Sequence, residues 1–168
     1  MTSYFHDAAV AGFSVIMAAA AFEDFRRFII PNLLPAALCL LWPVYFVAAP
    51  SLSGALWSLG CGAAVFVVGA CLFARGYLGG GDVKLLSAAT LWAGPGGTPG
   101  LLLLTGILGG ALALFLLMPL GAEIASMART ALSRRPTTPI ETAMPNPVPY
   151  GVAIAAAAVI TILSPSIS

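Results

Sequence analysis

Two aspartates stand out because of where they lie in a largely apolar chain. Asp24 closes an apolar run that begins at Ala8, and Asp82 follows a glycine-rich string and precedes a short apolar run that stops at Gly94. At 1.5 Å of rise per helical residue, Asp24 would lie about 24 Å along the first helix and Asp82 about 18 Å from the far end of its own. A hydrocarbon core is about 30 Å thick. We therefore expect both carboxyls to lie inside the same edge of a membrane.

The chemistry of two such acids is that of a carboxyl pair. An acid at this depth is costly and usually faces a water-filled cavity or a partner. When two carboxyls share a site, one keeps its proton while the other ionises, because like charges at close range repel. This arrangement supplies a general acid and a general base together, as attack of water on a peptide carbonyl requires. The pattern thus predicts intramembrane aspartyl proteolysis.

Each of these features also has a purely structural interpretation. Asp24, beside Glu23 and near two arginines, could be a solvated juxtamembrane acid. The glycine string before Asp82 could be a turn with a polar tail, and Lys84 could extend to lipid headgroups. Paired acids in membranes also mark ion pathways. The competing function is therefore a non-enzymatic membrane carrier or assembly scaffold with a paired-acid proton or cation site.

The composition of the chain predicts the elements that must position the acids. Of the 168 residues, 60% are hydrophobic and only 8% are charged, and the mean hydropathy is +1.02. About a quarter of a typical soluble chain is charged, so most of this surface must face lipid. The expected fold is all-α, a polytopic integral membrane helix bundle, as one domain over residues 1–168. We expect six transmembrane helices, over approximate spans 8–24, 33–49, 54–74, 82–94, 101–121 and 150–164.

Charge placement decides whether the short fourth span crosses the membrane. It precedes a string of glycines and prolines, Gly94–Gly100, and could be re-entrant. Lys and Arg in short loops are more frequent on the cytoplasmic side of a membrane. If all six spans cross, the seven basic residues all fall on one side. They are Arg26, Arg27, Arg75, Lys84, Arg129, Arg134 and Arg135. We therefore expect both termini outside the cytoplasm. The first span should be retained, since residues 1–7 lack the basic residues of a cleavable signal.

Several classes of function are excluded by residue counts. A net charge of +1 without a basic cluster argues against nucleic-acid binding. Cys39, Cys61 and Cys71 lie in apolar runs and form no Cys-x-x-Cys pair, so neither a zinc knuckle nor a disulfide framework is indicated. His6 is the only histidine, which excludes His-dependent triads and His-based zinc sites. No metal and no cofactor is expected.

Three motifs in this order resemble a known family. They are Asp24 with Pro31-Asn32, Gly79-x-Gly81-Asp82-x-Lys84, and Pro149-Tyr150-Gly151. The set is similar to the type IV prepilin peptidases, in the short form that serves Flp/Tad pili, and the resemblance spans residues 20–158. It implies that Asp24 and Asp82 are the catalytic acids. It also implies cleavage of a prepilin leader at the cytoplasmic face of the bacterial inner membrane, after a glycine that precedes the hydrophobic pilin helix.

The resemblance assigns supporting roles to other residues. Gly79 and Gly81 would let the loop approach the substrate, whereas Pro31 and Asn32 would fix the turn that aims the end of the first helix; Asn32 could also cap the second. Lys84 belongs to the same supporting loop, although residues two apart on a helix point to different faces.

Substrate contacts are expected from Tyr150 and Gly151, which begin the last helix, and from Glu23 or Glu123, which could attract a basic leader. Glu141 is expected to be solvated. The partners implied are a prepilin with a basic leader and a hydrophobic helix, the lipid bilayer, and pilus-assembly machinery.

Differences between this sequence and related proteases narrow the predicted activity. Longer members of the prepilin peptidases carry a further cytoplasmic domain with paired Cys-x-x-Cys motifs and methylate the new pilin N-terminus. This chain has neither motif, so we expect a peptidase without methyltransferase activity. Presenilin-like proteases share Gly-x-Gly-Asp, but their Tyr-Asp and Pro-Ala-Leu motifs are absent, because Glu23 precedes Asp24 and no Pro-Ala-Leu string occurs.

Overall fold

The computed structural model describes residues 2–47, 51–132 and 148–164, which form six helices. They are α1 (Thr2–Arg27), α2 (Leu33–Val47), α3 (Leu52–Ala74), α4 (Gly80–Leu117), α5 (Pro119–Leu132) and α6 (Tyr150–Leu163). Within these ranges there is no strand, and the expected all-α fold is confirmed. Arg134 and Arg135 of the charge argument, and Glu141, which was expected to be solvated, lie outside the described residues.

The glycine- and proline-rich string expected to separate two spans is mostly helical. Only Gly94 leaves the helical conformation, with φ 63° and ψ −173°. Pro95 follows it directly, and proline is accepted at the first position of a helix because its fixed φ suits the helix and its missing N–H would be unpaired there anyway. The prediction that residues 94–100 form a connector is therefore wrong about its length. The break is a single glycine inside α4.

The chain turns back at Gly94. Tyr150 packs against Gly109 so closely that a Cβ there would lie 2.7 Å from the tyrosine ring. The next residue, Gly151, donates a hydrogen bond to Asp24, and Asp24 shares a cleft with Asp82. Asp82 and Gly109 thus lie at one end of the bundle, although a straight helix would separate them by about 40 Å. Residues 80–93 and 95–117 are accordingly two arms that run in opposite directions, close to the fourth and fifth spans expected.

Small residues bring α3 against the first arm of α4. A Cβ at Gly69 would meet Val83 at 2.8 Å, and one at Gly62 would meet the Ser87 carbonyl oxygen at 3.3 Å. Helices in lipid associate through such close packing, because lipid is apolar too and no hydrophobic effect drives the helices together. This packing fixes the start of α4, where Asp82 lies.

The opposite end of the bundle is held by aromatic side chains. Trp92 donates a hydrogen bond from Nε1 to the Leu38 carbonyl oxygen at 3.0 Å. Its ring lies 4.7 Å from that of Phe13 and 4.9 Å from that of Tyr45. The indole N–H of a buried tryptophan needs such a partner. These contacts tie α1, α2 and the first arm of α4 together about 15 Å from the acids.

Three helices are long and apolar enough to cross a membrane, namely Tyr4–Arg27, Leu52–Ala74 and Gly80–Leu117. Two shorter apolar helices lie at Leu33–Tyr45 and Tyr150–Leu163. Large apolar side chains cover the outside of the bundle, for example Val67 and Val68, which are about three-fifths exposed. Such a surface suits lipid rather than water, and the chain is a membrane protein.

The fifth span ends earlier than expected. It was expected to reach residue 121, but Met118 is extended (φ −76°, ψ 138°) and Pro119 opens a separate helix, α5. The residues after Met118 are therefore helical as far as Leu132. Leu120, Ile124 and Met127 are exposed on one side of α5, whereas Gly121 and Ala125 are buried against its neighbours.

Candidate active site

The end of α1 positions Asp24. Its side chain is only 5% exposed, and the helix stops just beyond it. Phe28 takes a left-handed conformation, with φ 53°, and its N–H still bonds the Asp24 carbonyl oxygen at 2.9 Å. A positive φ is rare for a bulky residue and is often found at functional sites. It turns the chain sharply, so that Ile29 and Ile30 return beside the carboxyl of Asp24.

The start of α4 positions Asp82. Gly79 is extended and precedes the helix, and Asp82 is the third residue of the first turn. The Asp82 carboxyl accepts a hydrogen bond from the Gly79 backbone, as the acid of a capping box does. A Cβ at Gly79 would lie 2.7 Å from Asp82 Oδ2. A side chain at Gly79 would therefore force the Asp82 carboxyl to shift.

A second glycine of this motif joins the two segments. A Cβ at Gly81 would lie 3.0 Å from Ile30 Cβ, so the turn after α1 rests directly on the backbone that opens α4. This contact brings the two aspartates to one place.

Both acids line one cleft of about 230 Å³. Its wall consists of Asp24, Phe28, Ile29, Ile30, Gly79, Gly80, Gly81 and Asp82. Since liquid water occupies about 30 Å³ per molecule, the cleft has room for water together with part of an extended peptide. Two carboxyls at the wall of such a cleft can act as an acid and a base towards a bound amide.

The last helix contributes a backbone donor to the site. The N–H of Gly151 donates to Asp24 Oδ2 at 2.7 Å in a buried position. A Cβ at Gly151 would lie 2.8 Å from that same oxygen, so a side chain there would displace the carboxyl that accepts the hydrogen bond. Sequence reasoning placed Gly151 near the site through the resemblance alone; the structure shows what it contacts.

The remaining expected residues are distributed around the cleft. Lys84 Nζ donates to Asn32 Oδ1 at 2.8 Å, on a different face from Asp82, as their spacing predicted. Glu23 pairs with Arg27 at 3.4 Å, and neither Glu23 nor the exposed Glu123 of α5 belongs to the cleft wall. Pro31 is exposed in the link between α1 and α2.

Residues that sequence reasoning missed are apolar. Phe28, Ile29 and Ile30 line the cleft, and Gly109 receives the ring of Tyr150. The sequence signal for the first three was their position between Arg27 and Pro31. A link this short keeps its residues close to Asp24.

No group of three or more His, Cys, Asp or Glu side chains is gathered as a metal site in the described ranges. Two carboxyls alone are available at the cleft. A metal-free site stays a prediction.

The fold and this cleft together define a helical membrane protein in which two helix ends present carboxyls to a common small cavity. The family model of the type IV leader peptidase family matches residues 11–114, which is more than half of the chain and includes both aspartates. The chain therefore belongs to the type IV leader peptidase family. This membership supports a prepilin leader peptidase role. No curated protein and no solved structure matched the chain.

Proposed function

We propose that this protein is an intramembrane aspartyl endopeptidase that cleaves the leader peptide from type IV prepilins of the Flp/Tad kind. The observation that carries the proposal is the common cleft of Asp24 and Asp82. Family membership supplies the prepilin substrate, and the paired carboxyls supply the means of hydrolysis.

The reaction uses the pair as acid and base. The ionised carboxyl takes a proton from water while the water oxygen bonds to the scissile carbonyl carbon, and the protonated carboxyl stabilises the carbonyl oxygen. The tetrahedral intermediate then collapses, the carbon–nitrogen bond breaks, and a carboxyl protonates the leaving amine. The pair gains one proton from water and gives one to the leaving amine, so it returns to its starting state with one proton between the two carboxyls.

Charge distribution supports an orientation for the site. Arg26 and Arg27 end α1, Arg75 follows α3, and Lys84 begins α4, so the described basic side chains lie at the cleft end of the bundle. Lys and Arg in short loops favour the cytoplasm. The proposal therefore places the cleft at the cytoplasmic face of the bacterial inner membrane, with α1, α2, α3, both arms of α4 and α6 crossing and both termini outside.

The substrate would reach the cleft from the cytoplasm. Its basic leader would meet acidic groups near the mouth, and Glu123 is exposed and available for this contact, whereas Glu23 already pairs with Arg27. The hydrophobic pilin helix would remain in the bilayer. Pilus-assembly machinery is the partner that would receive the cleaved product.

The test is conversion of an Flp-type prepilin by the purified protein in liposomes. Precursor should shorten with the unaltered protein and stay intact with Asp24→Asn and with Asp82→Asn. Asp7→Asn is the matched control, since Asp7 is an exposed acid at the far end of α1. Undiminished processing in either Asp24→Asn or Asp82→Asn would overturn the dyad. Intact precursor with the unaltered protein, together with proton or cation flux that either substitution stops, would favour the carrier instead.

A further inference from the structure

An apolar groove lies between α2 and α3, and the first arm of α4 forms its floor. Its volume is about 430 Å³. It is lined by Asn32, Pro35, Ala36, Cys39, Leu59, Gly62, Ala63, Phe66, Lys84, Ser87, Ala88 and Leu91. Leu59 and Phe66 on its rim are nearly half exposed, so a partner could still cover them.

The polar end of the groove adjoins the candidate active site. Asn32 is two residues beyond Ile30, and Lys84 is two residues beyond Asp82, so the groove and the cleft are formed by the same two segments. The hydrogen bond from Lys84 to Asn32 crosses this end. From Lys84 to Leu91 the groove extends about 10 Å into the bundle, which is about two turns of an α-helix.

The walls of the groove suit a helix. Six lining residues are small, namely Ala36, Cys39, Gly62, Ala63, Ser87 and Ala88. Small residues at a membrane helix interface let a second backbone approach closely and gain packing contacts. An entering segment must also satisfy its own backbone hydrogen bonds where water is absent, and among single segments only a helix does so.

We propose that this groove binds the first two turns of the prepilin's hydrophobic helix while the peptide just before it lies in the cleft. This inference rests on the proposed function, since the occupant is the substrate of that reaction. The helix of a prepilin follows its cleavage site, and the groove begins beside the two aspartates. The groove therefore sets where along the substrate the chain stops being helical and becomes open to hydrolysis.

Cys39 allows a direct test, because it is the cysteine that lines the groove. In an Asp82→Asn background, Cys61→Ala and Cys71→Ala leave Cys39 as the single thiol, and single cysteines are placed along the first turns of the prepilin helix. Disulfide formation should peak at positions three and four apart, on one face of that helix. The control keeps Cys71 alone, an exposed thiol on α3 outside the groove, and should give no such pattern.

Two outcomes of the crosslinking would overturn the inference. One is a Cys39–Cys39 dimer in place of the prepilin crosslink, which would assign the groove to a second copy of the chain. The other is crosslinking to Cys71 at least as strong as that to Cys39, or no crosslinking to Cys39 at all, which would leave the groove to lipid.

A pair of adjacent alanines provides a second test that needs no crosslinking. Ala63 lines the groove and Ala64 does not, although both are exposed on α3. Ala63→Phe should raise the KM for prepilin by roughly tenfold or more, as expected when an apolar binding surface is blocked. Ala64→Phe should leave KM unchanged.

The failure of this inference can be told apart from failure of the proposed function. If processing depends on Asp24 and Asp82 but Ala63→Phe and Ala64→Phe have equal KM values, the groove assignment alone is refuted. If the unaltered protein does not process prepilin, the proposed function itself is refuted.

Discussion

Gly151→Ala should slow the proposed peptidase strongly without unfolding it. In the structure, a Cβ at this position would lie 2.8 Å from Asp24 Oδ2 and 2.8 Å from Ile30 Cδ1. An ordinary contact needs at least 3.4 Å, so the carboxyl or the helix must move by about 0.6 Å, and the hydrogen bond from the Gly151 N–H is stretched or lost. A misplacement of about 1 Å at a reacting group can lower the rate about 100-fold. We expect kcat to fall by roughly 10- to 100-fold.

The effect of this substitution on stability should be small. Overpacking costs about 1–3 kcal/mol, but alanine in place of glycine within a helix returns up to about 1 kcal/mol. Thermal unfolding in detergent should therefore remain cooperative, with a modestly lower midpoint.

The assay is single-turnover cleavage of prepilin in liposomes, run beside Gly106→Ala. A Cβ at Gly106 meets nothing within 4 Å, so this control introduces the same helix preference without a collision and should cleave as the unaltered protein does. Full activity in Gly151→Ala would refute the argument that α6 positions Asp24. Equal losses in both variants would show that the effect is general to glycine removal.

Three further outcomes follow from the same geometry. Gly79→Ala should lower kcat because its Cβ would lie 2.7 Å from the Asp82 carboxyl; cleavage at the unaltered rate would contradict the proposed role of that glycine. Gly94→Ala should destabilise the bundle by about 1–3 kcal/mol, since its φ of 63° suits glycine. Thermal unfolding should be compared with that of Gly60→Ala, where nothing lies within 4 Å of the added carbon. Equal unfolding midpoints would argue against strain at the turn. A reporter fused after Gly97 should be found outside the cytoplasm, and a cytoplasmic reporter would make the first arm of α4 re-entrant.

The sequence predicts that the two acids lie close together because helix rise alone gives each of them a similar depth. Counting residues from Ala8 and from Gly94 put Asp24 and Asp82 about 24 Å and about 18 Å along their helices, inside one edge of a membrane. The structure puts both on one cleft, and their depth in a membrane stays a prediction. The spacing of Asp82 and Lys84 likewise predicted that their side chains point apart. Such inferences need no knowledge of neighbouring helices.

Features that depend on contacts between helices were not predictable in this way. The string of glycines and prolines indicated a break, but its seven residues do not say which one leaves the helix, because Pro95 is acceptable both in a loop and at a helix start. The left-handed Phe28 carries no local signal either. The same holds for α5, whose small and large residues separate into a buried and an exposed side only once its neighbours are in place.

The scarcity of polar side chains explains why glycines surround the acids. With 8% of the chain charged, few side chains are available to hold a carboxyl at the membrane edge, and backbone N–H groups act as donors to both acids. A backbone N–H can serve as such a donor, and at two positions glycine leaves room for a carboxyl that a Cβ would crowd. Gly151 does this for Asp24 and Gly79 for Asp82. Both donors belong to helix starts, where N–H groups have no partner within their own helix. The proposed active site is thus built from the unpaired ends of helices, and after the two aspartates its tolerance to substitution should be lowest at glycines, which carry no functional group.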